Sequence, residues 1–446
     1  MFNATFSTPD LDRFCLLDKL GLTVTGQHVA EDHTVLACRV VESTDLVERD
    51  WWCHRCGAAG VARDSVVREL AHVPNGWRPT ILQVRVRRYG CVGCRRVWRQ
   101  DLSKAVAPRA KLTTHAVLWA LRAVVIDRAS IARVAASLGC SWHTVNDAVL
   151  AAGRALLIDD PTRLDGVRVL GVDEHCWRHP RAGKGPQQRF VTVVIDLTPV
   201  RDGTGPARLL DVVEGRSKQV FTAWLAAQTA AFRARIETVA MDGFTGFKTA
   251  AAEAIPQATA VMDPFHVVAL AGDAVDRCRQ RVQQDIHSHR GRSGDPLYGI
   301  RRVLRTGAGL LTDRQHARLV AVFADERHLP LQATWGIYQR IVAAYRHPDR
   351  PSGKTELANV ISALDHGVPE PLTELIALGR TLRRRAGDVL AYFGRPGTSN
   401  GPTEAINGRL EHLRGTALGF RNLTNYIARA LLDTGGFRPQ LHPHLR

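Results

Sequence analysis

Short apolar runs alternate with alanine-rich helical segments between residues 164 and 265. Apolar or alternating runs of about four to eight residues are typical of β-strands, and a repeat of about 3.6 residues is typical of amphipathic helices. We therefore predict helices over residues 219–232 and 247–255. The strands predicted in the same way cover residues 167–172, 190–197, 207–213, 236–241 and 259–262.

The order of these elements is that of the ribonuclease-H-like fold: three strands, then helix, strand, helix and strand. In that fold the first three strands form a meander and the later strands pair beside the first. Asp173 follows the first predicted strand, and Asp242 follows the fourth. We therefore expect their carboxylates on adjacent strands, about 4.8 Å apart.

Two Cys-x-x-Cys pairs precede this region and have the spacing of zinc ligands. Cys53 and Cys56 are separated from Cys91 and Cys94 by 34 residues, and residues 81–89 alternate like a strand that leads to the second pair. Four thiolates complete a closed tetrahedral Zn²⁺ site, which folds a module but leaves no position open for chemistry. A redox role is disfavoured because the pair is duplicated. Arg85 and Arg87 lie on the same strand and suit contact with DNA, although zinc ribbons also bind proteins.

The segment from Ser130 to Val149 predicts a helix, a tight turn and a second helix. Gly139 can end the first helix, and Ser141 can cap the second. A recognition helix reads base edges in the major groove from residues near its N-terminus. The candidate DNA contacts are therefore Trp142, His143, Thr144 and Asn146, and we expect the side chains of the last three to point outward. Trp142 can instead pack inward, and a plain helical hairpin has a similar pattern.

The predicted fold class is α/β: a ribonuclease-H-like mixed sheet with a helical insertion, preceded by a zinc ribbon and a helix-turn-helix domain. A hinge rich in glycine, proline, serine and asparagine, residues 394–402, precedes the last long helix. The predicted parts are an N-terminal α/β segment (1–50), the ribbon (51–104), the helix-turn-helix domain (105–163), a first core part (164–265), the insertion (266–393) and a final core part (394–446).

The net charge of +17 favours a polyanionic partner, because each neutralised phosphate releases condensed counterions. No segment approaches the roughly 20 apolar residues of a membrane span, so we expect no membrane association. The first residues carry Asp10 and Asp12 where a secretory leader would be basic and then apolar. The expected location is the cytoplasm, in association with the bacterial nucleoid.

The paired acids indicate a metal-dependent reaction on phosphates. Two adjacent carboxylates repel each other unless cations lie between them, and paired Mg²⁺ or Mn²⁺ ions would relieve the repulsion and assist phosphoryl transfer. The leading third acid is Glu404, in the first turn of a helix that Pro402 begins. Asn407 lies three residues later on the same face and can support the acid, and Arg409 is close enough to contact a DNA backbone.

Other residues compete for these roles. Asp263 rivals Asp242, but its strand lies one position farther from the first, so we expect a supporting role. Glu174 rivals Asp173, but strand alternation should turn it away from the site. His266 is expected to be structural or supporting, because Mg²⁺ prefers oxygen ligands. Each acid also has a plain alternative as a turn residue at a strand end.

These residues resemble the ISL-three family of insertion-sequence transposases over nearly the whole chain. The motifs that carry the resemblance are Gly171-Val-Asp-Glu-His175, Met241-Asp-Gly-Phe244, Asp263-Pro-Phe-His-Val267, Thr398-Ser-Asn-Gly-Pro-Thr-Glu404 and Gly419-Phe-Arg-Asn422. The resemblance implies an Asp-Asp-Glu triad at Asp173, Asp242 and Glu404, dependence on Mg²⁺, and binding to terminal inverted repeats. It also implies DNA strand cleavage followed by strand transfer to target DNA, in a homodimer or larger assembly that holds both ends.

Two other functions remain open at this point. The chain could be a zinc-ribbon and helix-turn-helix regulator whose ribonuclease-H-like part is an inactive scaffold. It could also be a structure-selective nuclease that acts on RNA–DNA hybrids or branched DNA. The complete set of acids argues against the first function, and the separate DNA-reading module argues against the second.

Overall fold

The structure is a computed structural model that describes residues 8–42, 50–178, 189–289 and 291–442. Within these residues the chain forms two compact units, one made of residues 1–163 and 422–446 and the other of residues 164–421. The last 25 residues of the predicted final core part, 422–446, thus belong to the unit that holds the N-terminal half of the chain.

The sheet of the first unit is built around a long antiparallel hairpin. Its strand order is β1-β2-β4-β3, and β5 pairs with β4. Because β2 pairs in parallel with β4, the N-terminal segment and the predicted ribbon share one sheet, and the boundary predicted at residue 50 does not divide them. The strands are β1 (Leu22–Val29), β2 (Thr34–Val40), β3 (Gly60–Asn75), β4 (Arg78–Cys91) and β5 (Val97–Arg99).

The helices of the first unit include the predicted pair that brackets Gly139. Ser130 and Ser141 cap the two helices, since their side chains accept hydrogen bonds from the amides of Arg133 and Thr144. Gly139 has a left-handed conformation that ends the first helix of the pair. This part of the prediction is confirmed. The helices are α1 (Leu11–Phe14), α2 (Thr114–Val125), α3 (Ile131–Leu138) and α4 (Trp142–Gly153).

The sheet of the second unit has the order β10-β9-β6-β7-β8. β6, β7 and β8 form an antiparallel meander, and β9 and β10 add in parallel beside β6. The predicted ribonuclease-H-like order is therefore confirmed, including the pairing of the first and fourth strands. The strands are β6 (Val169–Cys176), β7 (Phe190–Asp196), β8 (Arg208–Glu214), β9 (Thr238–Met241) and β10 (Thr259–Met262).

Helices cover one face of this sheet with a tightly packed aromatic core. Phe221, Trp224 and Phe247 are buried against the strands. The helix predicted over residues 219–232 is divided, because Thr229 adopts an extended conformation and its side chain caps a new helix at the amide of Phe232. The helices are α5 (Thr198–Asp202), α6 (Lys218–Ala227), α7 (Ala230–Arg235) and α8 (Thr245–Ala254).

The predicted helical insertion follows β10 and has a hydrophobic core of its own. Trp335 packs at the edge of this core, with its ring 5.4 Å from that of Phe323. The helices are α9 (Pro264–His287), α10 (Arg301–Leu304), α11 (Asp313–Phe323), α12 (Leu329–Arg346), α13 (Arg350–His366), α14 (Thr373–Arg384) and α15 (Ala386–Gly394).

The last helices divide between the two units. Helix α16 (Gly401–Thr416) packs on β6 in the second unit. Helices α17 (Leu423–Thr434) and α18 (Arg438–Leu441) lie in the first unit, where α17 contacts α2 and α4. Among the residues described, none of the helices is both long enough and apolar enough to span a membrane.

Candidate active site and zinc centre

Asp173 and Asp242 lie side by side because their strands are paired. Val172 of β6 is in register with Met241 of β9. Asp173 directly follows Val172 in the chain, and Asp242 directly follows Met241. The prediction ended the first strand before Asp173, but β6 continues to Cys176 because β7 remains paired with it. Asp173 therefore lies within β6, one residue beyond the last residue that pairs with β9. At Asp173 the edge of β6 that faces β9 is thus no longer paired with that strand. Glu174 points away and pairs with Arg216 at 3.3 Å, as strand alternation predicts.

Asp173 is the electrostatic centre of the site. Its Oδ1 accepts a hydrogen bond from the amide of Glu174 at 2.8 Å, and its Oδ2 accepts one from Nδ2 of Asn407 at 3.0 Å. Burial raises the pKa of the Asp173 carboxyl to about 7, and the charges of Asp242 and Glu404 act in the same direction. Asp173 is therefore close enough to Asp242, Glu174 and Glu404 for their charges to oppose its ionisation.

Glu404 reaches this position because α16 lies directly on β6. A Cβ atom at residue 171 would lie only 2.7 Å from Oγ1 of Thr403, and Leu197 closes the same space from the other side. Glycine at residue 171 therefore allows α16 to approach the strand two residues before Asp173. Glu404 itself is exposed and starts the helical hydrogen bonding of α16, with its amide 2.9 Å from the carbonyl of Asn400.

Asn400 links Asp173 to Asp263, and the sequence prediction missed this residue. Its Nδ2 lies 3.5 Å from Oδ2 of Asp173, and its backbone amide donates a 2.7 Å hydrogen bond to Oδ1 of Asp263. Asp263 is buried, and burial raises the pKa of its carboxyl. In the sequence Asn400 belongs to a stretch that predicts only a flexible hinge. The signal that could have identified it was its position four residues before the third acid.

The turn after Asp242 is held by neighbours on both sides. Oδ1 of Asp242 accepts the amide of Phe244 at 2.9 Å, and the ring of His266 lies against Gly243 so closely that a Cβ there would overlap it. Arg385 donates from Nη1 to the carbonyl of Gly243 at 3.0 Å. Its guanidinium is buried and also pairs with Asp388 at 2.6 Å, so the insertion contacts the turn that carries an acid. Nothing in the sequence pattern indicated this role for Arg385.

The donor atoms of the site fit a divalent cation that prefers oxygen. Besides the three carboxylates, the side-chain oxygens Oδ1 of Asn400 and of Asn407 are buried and accept no hydrogen bond. An unpaired buried amide oxygen costs about 1–3 kcal/mol, which a cation or water molecule would relieve. The ligand oxygens of the three carboxylates do not, however, all lie within 4.8 Å of one another. Within the described residues only the cysteine group brings three or more His, Cys, Asp or Glu ligand atoms within 4.8 Å of one another.

The four predicted zinc ligands do come together in the first unit. Sγ of Cys53 lies 3.4 Å from Sγ of Cys94, and Cys56 lies 3.4 Å from Cys91. Backbone amides from residues 55 and 56 lower the pKa of Cys53 to about 6, and the amide of Cys94 lowers that of Cys91. Thiolates at this spacing fit tetrahedral Zn²⁺, which binds the deprotonated form of cysteine.

The predicted DNA-contact residues of the helix-turn-helix differ in exposure. Trp142 is 44% exposed, and the ring of His143, which is also exposed, stands edge-on to it at 5.3 Å. Thr144 is half-buried and bonds to the hydroxyl of Ser141 at 2.9 Å. Asn146 is only 3% exposed, so the expectation that its side chain points outward is wrong. It follows Val145 on the inner side of α4 rather than lying on the exposed first turn.

The remaining predicted residues lie where their elements place them. Arg85 is exposed on β4, and Arg87 on the same strand is exposed and pairs with Glu42. Arg409 is half-buried on α16, two residues after Asn407. On the same helix Arg414 donates to the carbonyl of Cys176 at 2.5 Å, which fastens α16 to the end of β6.

Comparisons with known proteins place this chain among transposases. A family model for transposases of the ISL3 (ISL-three) type, described as "Transposase", matches residues 170–430. The transposase for insertion sequence element IS1557 of Mycobacterium tuberculosis is 27% identical over 390 residues, which cover 77% of this chain and 82% of the relative. The transposase for insertion sequence element IS1001 of Bordetella parapertussis is 26% identical over 279 residues, which cover 59% of this chain and 61% of the relative.

A solved structure is also similar at a low level. The Drosophila P element transposase strand transfer complex matches with a TM-score of 0.36 and 11% identity, over 73% of this chain and 92% of that chain. This likeness is too weak to bear on the fold. The family model spans more than half of the chain and contains all three acids, and the protein therefore belongs to the ISL3 family of insertion-sequence transposases.

Proposed function

We propose that this transposase binds the terminal inverted repeats of its own insertion sequence, cuts the DNA strand at the repeat ends and joins the freed 3′ ends to target DNA. The observation that carries the proposal is the convergence of Asp173, Asp242 and Glu404 from two paired strands and a docked helix. The repulsion of Asp173 by the other two acids does not benefit the fold, and acids grouped in this way suit a cation-dependent phosphoryl transfer.

The three acids would bind the cations, and neighbouring residues would orient the acids. Asp173, Asp242 and Glu404 would hold Mg²⁺ or Mn²⁺, and the amide oxygens of Asn400 and Asn407 are available beside them. When bound, such cations polarise the phosphate and lower the pKa of an attacking water or hydroxyl group. Asn407 orients Asp173 by donating a hydrogen bond to its carboxylate. The backbone amide of Phe244 does the same for the carboxylate of Asp242. The protein thus supplies position and charge, which account for most of the rate enhancement in phosphoryl transfer.

Recognition of the repeats would belong to the first unit. The exposed Trp142 and His143 at the start of α4 suit readout of base edges, and Arg85 and Arg87 on β4 suit contact with phosphates. Bound Zn²⁺ would hold together the two Cys-x-x-Cys knuckles, Cys53–Cys56 and Cys91–Cys94, which flank the hairpin of β3 and β4. Both ends of the element must be held together for strand transfer, so we propose a homodimer or larger assembly on DNA.

The proposal is tested with a DNA duplex that carries the element's own terminal repeat. Wild-type protein should cut it at the repeat end with Mg²⁺ and leave it intact in EDTA. Glu404→Gln should bind the repeat as tightly as wild type in a gel-shift assay but should lower the cutting rate by at least about 100-fold. Glu356→Gln, which changes an exposed glutamate of α13, is the matched control and should cut normally.

The outcomes separate the competing functions. Specific binding without cutting by folded wild-type protein on paired ends would favour a DNA-binding regulator. Cutting that an RNA–DNA hybrid or a branched duplex competes away, with no preference for the repeat, would favour a structure-selective nuclease. Normal cutting by Glu404→Gln would remove this residue from the metal site.

A further inference from the structure

The turn that follows Asp242 carries an exposed aromatic ring two residues after the acid. Phe244 is 41% exposed, and its backbone amide donates the 2.9 Å hydrogen bond to Oδ1 of Asp242. Two residues of chain span at most about 7 Å, so the ring begins close to the acid. Single exposed apolar side chains are common on protein surfaces, and exposure alone therefore does not mark a binding site.

The Phe244 ring differs from an ordinary exposed side chain because it is held in one position. It stands edge-to-face on the buried ring of Phe247, with the ring centres 5.0 Å apart at 83°. A Cβ at residue 246 would overlap the ring, so Phe244 lies directly over the backbone of Gly246. A ring fixed in this way loses little conformational entropy when a ligand covers it.

The backbone beneath the ring is anchored as well. The carbonyl of Gly243 accepts a hydrogen bond from the buried Arg385, whose guanidinium also pairs with Asp388. Lys248 of α8 pairs with the same carboxylate at 2.9 Å. The segment from Asp242 to Lys248 is therefore tied to the insertion at two points, and the phenyl ring is presented on a fixed support.

We propose that the exposed ring of Phe244 is a stacking platform for the nucleobase beside the phosphate that is cut. The inference rests on the proposed function, because it takes DNA as the substrate. A phosphate that reaches Asp242 brings its neighbouring bases within one or two nucleotide steps of about 3.4 Å each. Nucleobases stack on aromatic rings largely without regard to sequence. A base drawn onto Phe244 leaves its stack in the duplex, which opens the backbone beside it to the acids.

The proposal is tested by fluorescence of 2-aminopurine in the terminal-repeat duplex. The probe replaces, one at a time, each base next to the cut, and Ca²⁺ replaces Mg²⁺ to slow cleavage. Wild type should change the fluorescence at one position. Phe244→Ala and Phe244→Leu should lose this change, Phe244→Tyr should keep it, and Tyr298→Ala, which removes another exposed aromatic, should not affect it.

A cleavage assay gives a second readout that a merely structural role would not produce. With Mg²⁺, Phe244→Ala should cut the intact duplex roughly 5- to 100-fold more slowly than wild type. An abasic site at the responsive position removes both the stack on Phe244 and the cost of unstacking the base, so on this DNA Phe244→Ala should cut at a rate close to that of wild type. The two changes are non-additive because each removes one partner of the same contact.

Three results would overturn the inference. The fluorescence change could persist in Phe244→Ala. The two changes could slow cleavage independently. Phe244→Ala could alter the mass of the protein–DNA assembly while the base signal stays the same, which would assign the ring to a protein contact. Failure of wild type to cut repeat DNA at all would refute the proposed function, whereas normal cutting by wild type together with any of these results refutes only the role of Phe244.

Discussion

Asp173 carries an electrostatic cost, because its carboxyl is largely buried and lies beside other acids. Burial raises the pKa of its carboxyl to about 7, above the value of 3.8 for a free side chain. In the absence of a cation the fold therefore favours the protonated form. The folded state binds more protons than the unfolded state between about pH 4 and pH 7, so the free energy of unfolding falls as pH rises through this window.

We predict that replacement of Asp173 by asparagine removes this pH dependence. In EDTA at pH 8, Asp173→Asn should be more stable to urea than wild type by up to about 4 kcal/mol, because it buries no charge. The difference should disappear below about pH 3, where the wild-type carboxyl is protonated in both states. Millimolar Mg²⁺ at pH 8 should stabilise wild type more than the variant. Equal stability at pH 8 in EDTA would contradict the assignment of this cost to Asp173.

The contact between α16 and β6 determines, at the level of elements, where the third acid lies. Gly171 allows the close approach, and Thr403 fills the space with a buried Oγ1 that has no hydrogen-bond partner. Such a hydroxyl contributes volume but no bond, so its removal costs little through lost polar interactions. Gly171 lies two residues before Asp173 in β6, and Thr403 directly precedes Glu404 in α16.

We predict that Gly171→Ala displaces α16 and slows cleavage of repeat DNA more than it weakens binding. Overpacking of a close contact costs about 1–3 kcal/mol of stability. Thr403→Ala alone should have a smaller effect, and the double variant should recover part of the lost activity, because the methyl group at residue 171 then meets no Oγ1. Additive losses in the double variant would show that the two residues do not share a contact.

The same elements show how far the sequence determines the site. The order of strands follows from hydrophobic periodicity, so the pairing of β6 with β9, and with it the neighbourhood of Asp173 and Asp242, could be predicted. Glu404 could be proposed as the third acid from its position in the first turn of a helix and from the family resemblance, but its place beside β6 could not be derived, because 161 residues separate it from Asp242. Neither periodicity nor spacing reports which helix face lies on a sheet across such an insertion.

Other features depend on tertiary contacts that leave no local pattern. Asn400 lies in a stretch whose composition predicts a hinge, yet it contacts Asp173 and Asp263. Arg385 belongs to a run of arginines typical of a solvated helix face, yet it is buried against Gly243. The prediction for Asn146 failed in the same direction, since a polar residue on a short helix is expected to face solvent, whereas Asn146 is buried. For Asn400 and Arg385, partners distant in the chain decide the burial.

The chain as a whole crosses from the first unit to the second at Leu164 and returns at Asn422. On its return, α17 packs against the helix-turn-helix, where the side chain of Leu432 occupies the space beside Gly153. The first unit is therefore complete only after the second unit has been synthesised. The four cysteines, in contrast, all lie in the first passage of the chain, at the base of the hairpin formed by β3 and β4.

We predict that zinc removal damages the first unit and leaves the second intact. A zinc-selective chelator should increase amide hydrogen exchange at least about tenfold in the two knuckles and in the adjoining ends of β3 and β4, because structural zinc contributes directly to folding. Exchange in β6, β7 and β9 should not change. Repeat binding should weaken in parallel, whereas Cys140→Ser, outside the knuckles, should behave as wild type. The uneven response is the informative part. Equal loss of protection in both sheets would mean that the two units unfold together, and no loss in the knuckles would mean that the cysteines hold no structural metal.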